Sequence, residues 1–152
     1  MNHDNNMSIT LMLIISFVAG YLSTMNIWTV DFKHARWHIN DLYMVSLMVA
    51  WMIFFNYIIM NNYTTNNIIL VIIFVIIIIY AIRSQFLISD KQFLNGMIPH
   101  HSMAILMSEK IKNKTKDPRI KKLSMNIIKS QTDEINLMTN ILNETNNNNY
   151  IF

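Results

Sequence analysis

Residues 68–82 read IILVIIFVIIIIYAI, fifteen positions without a charge, a proline or a glycine. A run this uniform has no polar face at either the helical or the strand period. It therefore reads as a segment surrounded by apolar material on every side rather than as the cover of a soluble core. A bilayer core takes about 20 helical residues at 1.5 Å each, so fifteen fall short. The span reaches full length by running on through Phe86 and Leu87 while Arg83 snorkels to the interface.

Working outward, two more apolar stretches precede it. The first covers 7–28, interrupted only by Gly20 and a few polar side chains, and the second covers 42–60, with Ser46 and Asn56 as its plainly polar members. Trp28, Trp37 and Tyr63 lie near span ends, where an aromatic belt belongs. The first stretch lacks the basic leader and small-residue cleavage site of a signal peptide. The expected organisation is a membrane domain over 1–88 with transmembrane helices at about 7–28, 42–60 and 68–87. An α-helical hairpin over 89–145 and a flexible Asn-rich tail over 146–152 follow. The fold class is all-α.

Charge supports this division. The chain-wide average of 14% charged residues describes neither half, because all 12 Lys and Arg lie in the first loop (Lys33, Arg36) or from Arg83 onward. With three spans, the first loop and the C-terminal domain share one side of the membrane, and the positive-inside rule makes that side cytoplasmic.

The C-terminal half opens with Ser89-Asp90-Lys91-Gln92, a capping box flanked by Ile88 and Phe93 as a hydrophobic staple. Pro99, next to Gly96 in the chain's small set of helix breakers, should kink the helix just before two histidines. At 100° per residue, Phe93, Met97, His100, Ala104, Met107 and Ile111 form one apolar stripe centred on His100, with His101 and Met103 at its edges. The helix dissolves at 112–116, and Asp117-Pro118 restarts it as N-cap and first-turn proline. The second stripe is Ile120, Leu123, Ile127, Gln131, Glu134, Met138 and Leu142. Gln131 and Glu134 thus take positions suited to Leu or Ile, and a buried carboxylate needs a partner. Folding the chain back near 114–115 sets residue 97 level with about 132 and 100 with about 129, so the polar break faces the histidines. A two-helix hairpin leaves faces uncovered, and a homodimeric four-helix bundle is the natural completion.

Two adjacent histidines among Met97, Met103 and Met107, in a chain with no cysteine, are the feature that points to chemistry. Imidazole and thioether together suit a soft transition metal, copper(I) above all. The candidate metal residues are His100, His101, Met97, Met103, Met107, Gln131, Glu134 and Met138, the two polar ones orienting an imidazole or ligating weakly. Each methionine taken singly reads as gap-filling core before it reads as a ligand, whereas taken together one or two of them coordinating metal is the better reading. Met44, Met48 and Met52 read as ordinary helix packing in lipid before they read as a copper ladder. His34 and His38 share a face only if the first loop is helical. The basic stretch 110–122 lacks interleaved aromatics and reads as a solvated hairpin tip, not a nucleic-acid surface. No catalytic arrangement emerges: there is no Glu-x-x-His pattern, no phosphate loop and no placed nucleophile.

The string from Asp90 to Met107, with Met-Ile-Pro-His-His-x-Met-Ala-Ile at its heart, resembles the signature of the domain-of-unknown-function 305 family. Asp117-Pro118-Arg119, Leu123, Ile127-Ile128, Gln131, Glu134-Ile135 and Met138 match it in the second helix. Some members carry three preceding spans, with residues similar to Tyr21-Leu22, His34, Met44, Met48 and Met52 here. The resemblance implies a ferritin-like bundle and, from characterised members, copper binding through His and Met in copper tolerance. Longer members have a doubled bundle, which makes dimerisation of this single hairpin the expectation. Many relatives place the domain on the outer face of the membrane, opposite to the charge rule here.

The reading is a membrane-anchored protein that captures copper and buffers it or hands it on. The alternative is a structural protein that oligomerises through the hairpin, its His–Glu contact serving specificity without metal. A ferritin-like redox enzyme is the third, and it needs an oxygen-rich site that the sequence does not display.

Overall fold

The computed structural model describes residues 2–59 and 64–147, and among these there are helices and no strands. Five α-helices follow one another: α1 Asn2–Leu22, α2 Ile39–Ile59, α3 Thr65–Ser84, α4 Asp90–Lys114 and α5 Pro118–Asn147. Two short 3₁₀ turns, Met25–Trp28 and Phe32–His34, lie between α1 and α2. The chain separates into two compact units. One comprises Met1–Thr24 with Ile39–Leu87, and the other Met25–His38 with Ile88–Phe152. The first loop thus belongs with the C-terminal hairpin, whereas the sequence reading grouped it with the spans. Expectations for Tyr63, and for most of the 146–152 tail, fall outside the described residues.

The first unit holds three stretches long and apolar enough to cross a membrane, Thr10–Trp28, Ile39–Ile59 and Thr65–Ser84. Only 11–17% of each is buried within the protein, so the outward surface is aliphatic, as a lipid environment requires. The α-helical part of the first stretch ends at Leu22. The third span finds its length differently from expectation. It begins earlier, at Thr65, where the Thr64 hydroxyl caps the helix by accepting the Asn67 N–H at 3.3 Å. It also stops earlier, because Gln85 takes the left-handed conformation (φ 52°) and Phe86 N–H returns to Ala81 C=O at 3.0 Å.

Within this unit α1 meets α2 at Gly20, where a methyl group would collide with the Met48 side-chain end and crowd Val45 at 3.1 Å. Small residues are what allow helices to pack closely in lipid, where no hydrophobic force draws them together. Tyr43 on α2 donates its hydroxyl to Phe86 C=O at 2.6 Å, closing the α2 start against the α3 end.

In the second unit α4 and α5 form an antiparallel hairpin. The Ser89 hydroxyl accepts the Gln92 N–H at 3.4 Å to start α4, which runs unbroken through Pro99. Thr115 N–H to Ile111 C=O closes it, and Asp117 starts α5 by accepting the Arg119 N–H at 2.8 Å. The core is Ile98, Ile105, Ile135, Met138 and Leu142, with Val30, Leu94, Met97 and Ile128 packed on it.

The buried stripe of α4 is rotated by one residue from the expected one. Ile98, His101, Ser102, Ile105 and Ser108 are buried, in place of Met97, His100, Ala104 and Met107. The rotation has a packing reason: branched Ile fills the core, while Gly96, Ser102 and Ser108 let neighbouring backbone approach. On α5 the same shift puts Ser124, Ile128 and Ile135 inward, while Ile120 and Leu123 are exposed. The Ser124 hydroxyl is satisfied locally by Ile120 C=O at 2.8 Å.

Candidate functional site

Rotation of α4 exchanges the roles of the two histidines. His101, not His100, is the buried one, at 9% exposure, and its Nδ1 lies 3.0 Å from Glu134 Oε2. The approach is off the ring N–H direction, so the contact is a close one by distance rather than a directed hydrogen bond. Glu134 is itself half exposed at the edge of α5, so it is not the buried carboxylate that the sequence pattern suggested. The fold-back also differs: His101 pairs with Glu134, where the expected register set residue 100 near 129. The turn is centred later, because α4 extends to Lys114 and the reversal occupies residues 115–117.

Burial holds the His101 imidazole below its ordinary pKa. Glu134 pulls the other way, and neighbouring His100 adds to the lowering. The ring is therefore kept neutral, the form in which imidazole binds a metal.

His100 faces outward. Its Nδ1 is 3.5 Å from the Met25 sulfur, and its ring stands edge-on to His101 with centroids 6.1 Å apart. The expected stripe is thus a real face of α4, but an outer one: Met97 and Met103 are half-buried, and His100 and Met107 are exposed. Gln131 is half-buried on α5, and Met138 is core. The structure brings together His101 with Glu134 and leaves Met107 apart at the surface.

Met25 was not singled out in the sequence because it reads as the end of the first span. Its placement follows from how the first loop is held. The Ser102 hydroxyl, fully buried in α4, accepts the Val30 N–H at 2.9 Å and lies 2.9 Å from His34 Nδ1. His38, 1% exposed, rests on Gly96, whose missing side chain would stand 3.4–3.7 Å from three ring atoms. Asn26 accepts the Arg36 N–H at 2.8 Å and ties the loop to itself. His34 and His38 do not form a helical i, i+4 pair, because the chain leaves the 3₁₀ turn at Ala35 in extended conformation. Burial lowers the pKa of His34 as well, against the pull of Asp31.

Among the described residues no group of three or more His, Cys, Asp or Glu is placed to hold a metal. What the unit brings together instead is one nitrogen–sulfur contact, His100 Nδ1 with the Met25 thioether, beside the buried His101.

Residues 84–148 match the model of the domain of unknown function 305. The chain is also 57% identical over 151 residues to an uncharacterized protein of Acanthamoeba polyphaga mimivirus, covering 97% of this chain and 99% of that one. No solved structure matches. The identity runs along nearly the whole of both chains, and the chain belongs to the family of this mimivirus protein, with a domain of unknown function 305 at its C-terminus.

Proposed function

We propose that this is a membrane-anchored protein that captures copper, as copper(I), and buffers it or passes it on. The observation that carries the reading is the outward His/Met face of α4: His100 and Met107 are exposed and Met97 and Met103 half-buried. Met97 also packs on the hairpin core, but gap-filling gives no reason for a soft donor at exposed Met107 on the same face as the His100 imidazole. Neutral His101, with the Glu134 carboxylate close to its Nδ1, supplies a second imidazole. Copper is cargo in this reading, so no catalytic residue is assigned. By the positive-inside rule the hairpin faces the cytoplasm, and a ferritin-like bundle arises when two hairpins pair.

Copper(I) titration of the full chain in detergent micelles, against a chromophoric competitor, tests this. Stoichiometric binding that is lost in His100→Ala with His101→Ala supports it. No binding, or binding unchanged in that variant, rejects it.

A second reading is an oligomerising structural protein. The observation in its favour is the apolar surface the hairpin leaves uncovered: Phe93 and Ile111 on α4, and Ile120, Leu123, Leu137 and Ile141 on α5. It is favoured if Leu123→Glu with Leu137→Glu converts an oligomer to a monomer while metal leaves the oligomeric state and the stability unchanged.

A further inference from the structure

We propose that Met25 and His100 are two of the protein donors of the copper(I) site, and that the ion staples the first loop to α4. This rests on the copper reading above but assigns a ligand from outside the C-terminal domain. The Met25 sulfur and His100 Nδ1 are 75 residues apart in sequence and 3.5 Å apart in space. Imidazole nitrogen and sulfur bind a first-row d¹⁰ ion at about 2.0 and about 2.3 Å, so donors at this separation subtend about 109° at the metal, the tetrahedral angle. An ion there lies off the line between the two donors, so the pair accepts it by turning the His100 ring and the Met25 thioether about their side-chain bonds, at the separation they already have.

A thioether and an imidazole carry no charge to balance a divalent ion, and sulfur selects the softer, monovalent one. The His100 Nδ1 lone pair must face the metal, so the ring proton resides on Nε2. A ring that now donates Nδ1–H to sulfur only changes tautomer, releasing no net proton. His100 is exposed, so water or an incoming donor completes the coordination and the ion can enter and leave. Met97 and Met103, three residues to either side of His100 on α4, lie on the same helix face as it does.

The remaining loop contacts make the pair meaningful. Val30 and His34 are bound to Ser102, and His38 lies on Gly96. These hold Met25 near α4 before any ion arrives, which lowers the ordering cost of binding. Conversely, an ion bridging Met25 and His100 stabilises the closed loop by mass action.

The test uses the full chain in micelles with silver(I), a redox-inert probe of the same charge and softness, and methyl-¹³C methionine NMR. The absence of cysteine removes competing thiolates. The Met25 methyl resonance is expected to shift on silver(I) addition. Met25→Leu and His100→Gln should each weaken binding by at least the roughly tenfold that loss of an outer partner alone causes. Met125→Leu, on the exposed surface of α5, should bind as the parent does. Silver(I) should slow tryptic cleavage after Lys33 and Arg36 in the parent and not in Met25→Leu. Leucine conserves volume, and the unsubstituted chain's Met25 resonance reads the contact without any variant. Parent-like binding by Met25→Leu, or a Met25 methyl unmoved at saturation, overturns the loop ligand while leaving copper capture by the hairpin standing. No binding by the parent overturns both.

Discussion

Ser102 shows how much a single hydroxyl organises here. It sits mid-helix, where serine has no helical advantage, yet it is fully buried and meets both the Val30 N–H and the His34 ring at 2.9 Å. Ser102→Ala leaves the Val30 N–H without its acceptor, at a cost of roughly 1–3 kcal/mol. Faster tryptic cleavage after Lys33 and Arg36, with helix content unchanged, is the expected readout. The imidazoles carry a second consequence. Burial lowers the pKa of both His34 and His101 below the ordinary 6.5, so below that value the unfolded chain takes up protons that the folded one refuses. Their contribution to stability is complete above about pH 6.5 and is lost as the pH falls toward the lowered folded values. Thermal unfolding at about pH 7.5 and about pH 5.5 should show the acid loss, and His34→Gln should reduce it. An equal loss in that variant would remove His34 from the account.

At the scale of elements, α4 and α5 are held by a narrow apolar seam rather than by their polar contacts. Ile98 is fully buried at the centre of that seam, and Ile98→Ala is expected to cost about 2–5 kcal/mol, the transfer of its methylenes plus the cavity they leave. The His101–Glu134 contact is a weaker fastener, since Glu134 is half exposed and water screens the pair. Glu134→Gln should change stability little, while moving the His101 titration midpoint further down, because the carboxylate is what raises it. Histidine ring NMR reads that midpoint; an upward movement would contradict the proposed balance of burial and charge. Sequence legibility differs along these elements. Both helix starts were readable in Ser89 and Asp117, since a capping residue acts on its own neighbours within one turn. The inward face of α4 was not, because Met97 and Met107 score as apolar as Ile98 and Ile105. Only the close approach of the first loop and α5 decides between two faces 100° apart.

For the whole molecule, three helices long and apolar enough to cross a membrane predict a parity that experiment can read directly. Residue 64 follows the second span, while residues 33 and 116 follow the first and third. In membrane vesicles, Thr64→Cys is expected to react with an impermeant maleimide from the side opposite to Lys33→Cys and Lys116→Cys. The natural chain contributes no background cysteine. Labelling of all three from one face would break the three-span reading. The grouping of Met25–His38 with the hairpin fits the same parity, because a loop across the bilayer could not bond to Ser102.

The sequence by itself determined three helices long and apolar enough to cross a membrane, the all-helical class, the hairpin and the family resemblance. Each of these rests on local composition or on signals within a few residues. Tertiary structure alone decided which histidine is buried, that Glu134 lies at an edge, and that Met25 meets His100. Those depend on which of two similar helix faces finds a closer-packing partner. They depend also on a contact across 75 residues, and no periodicity in either segment encodes it.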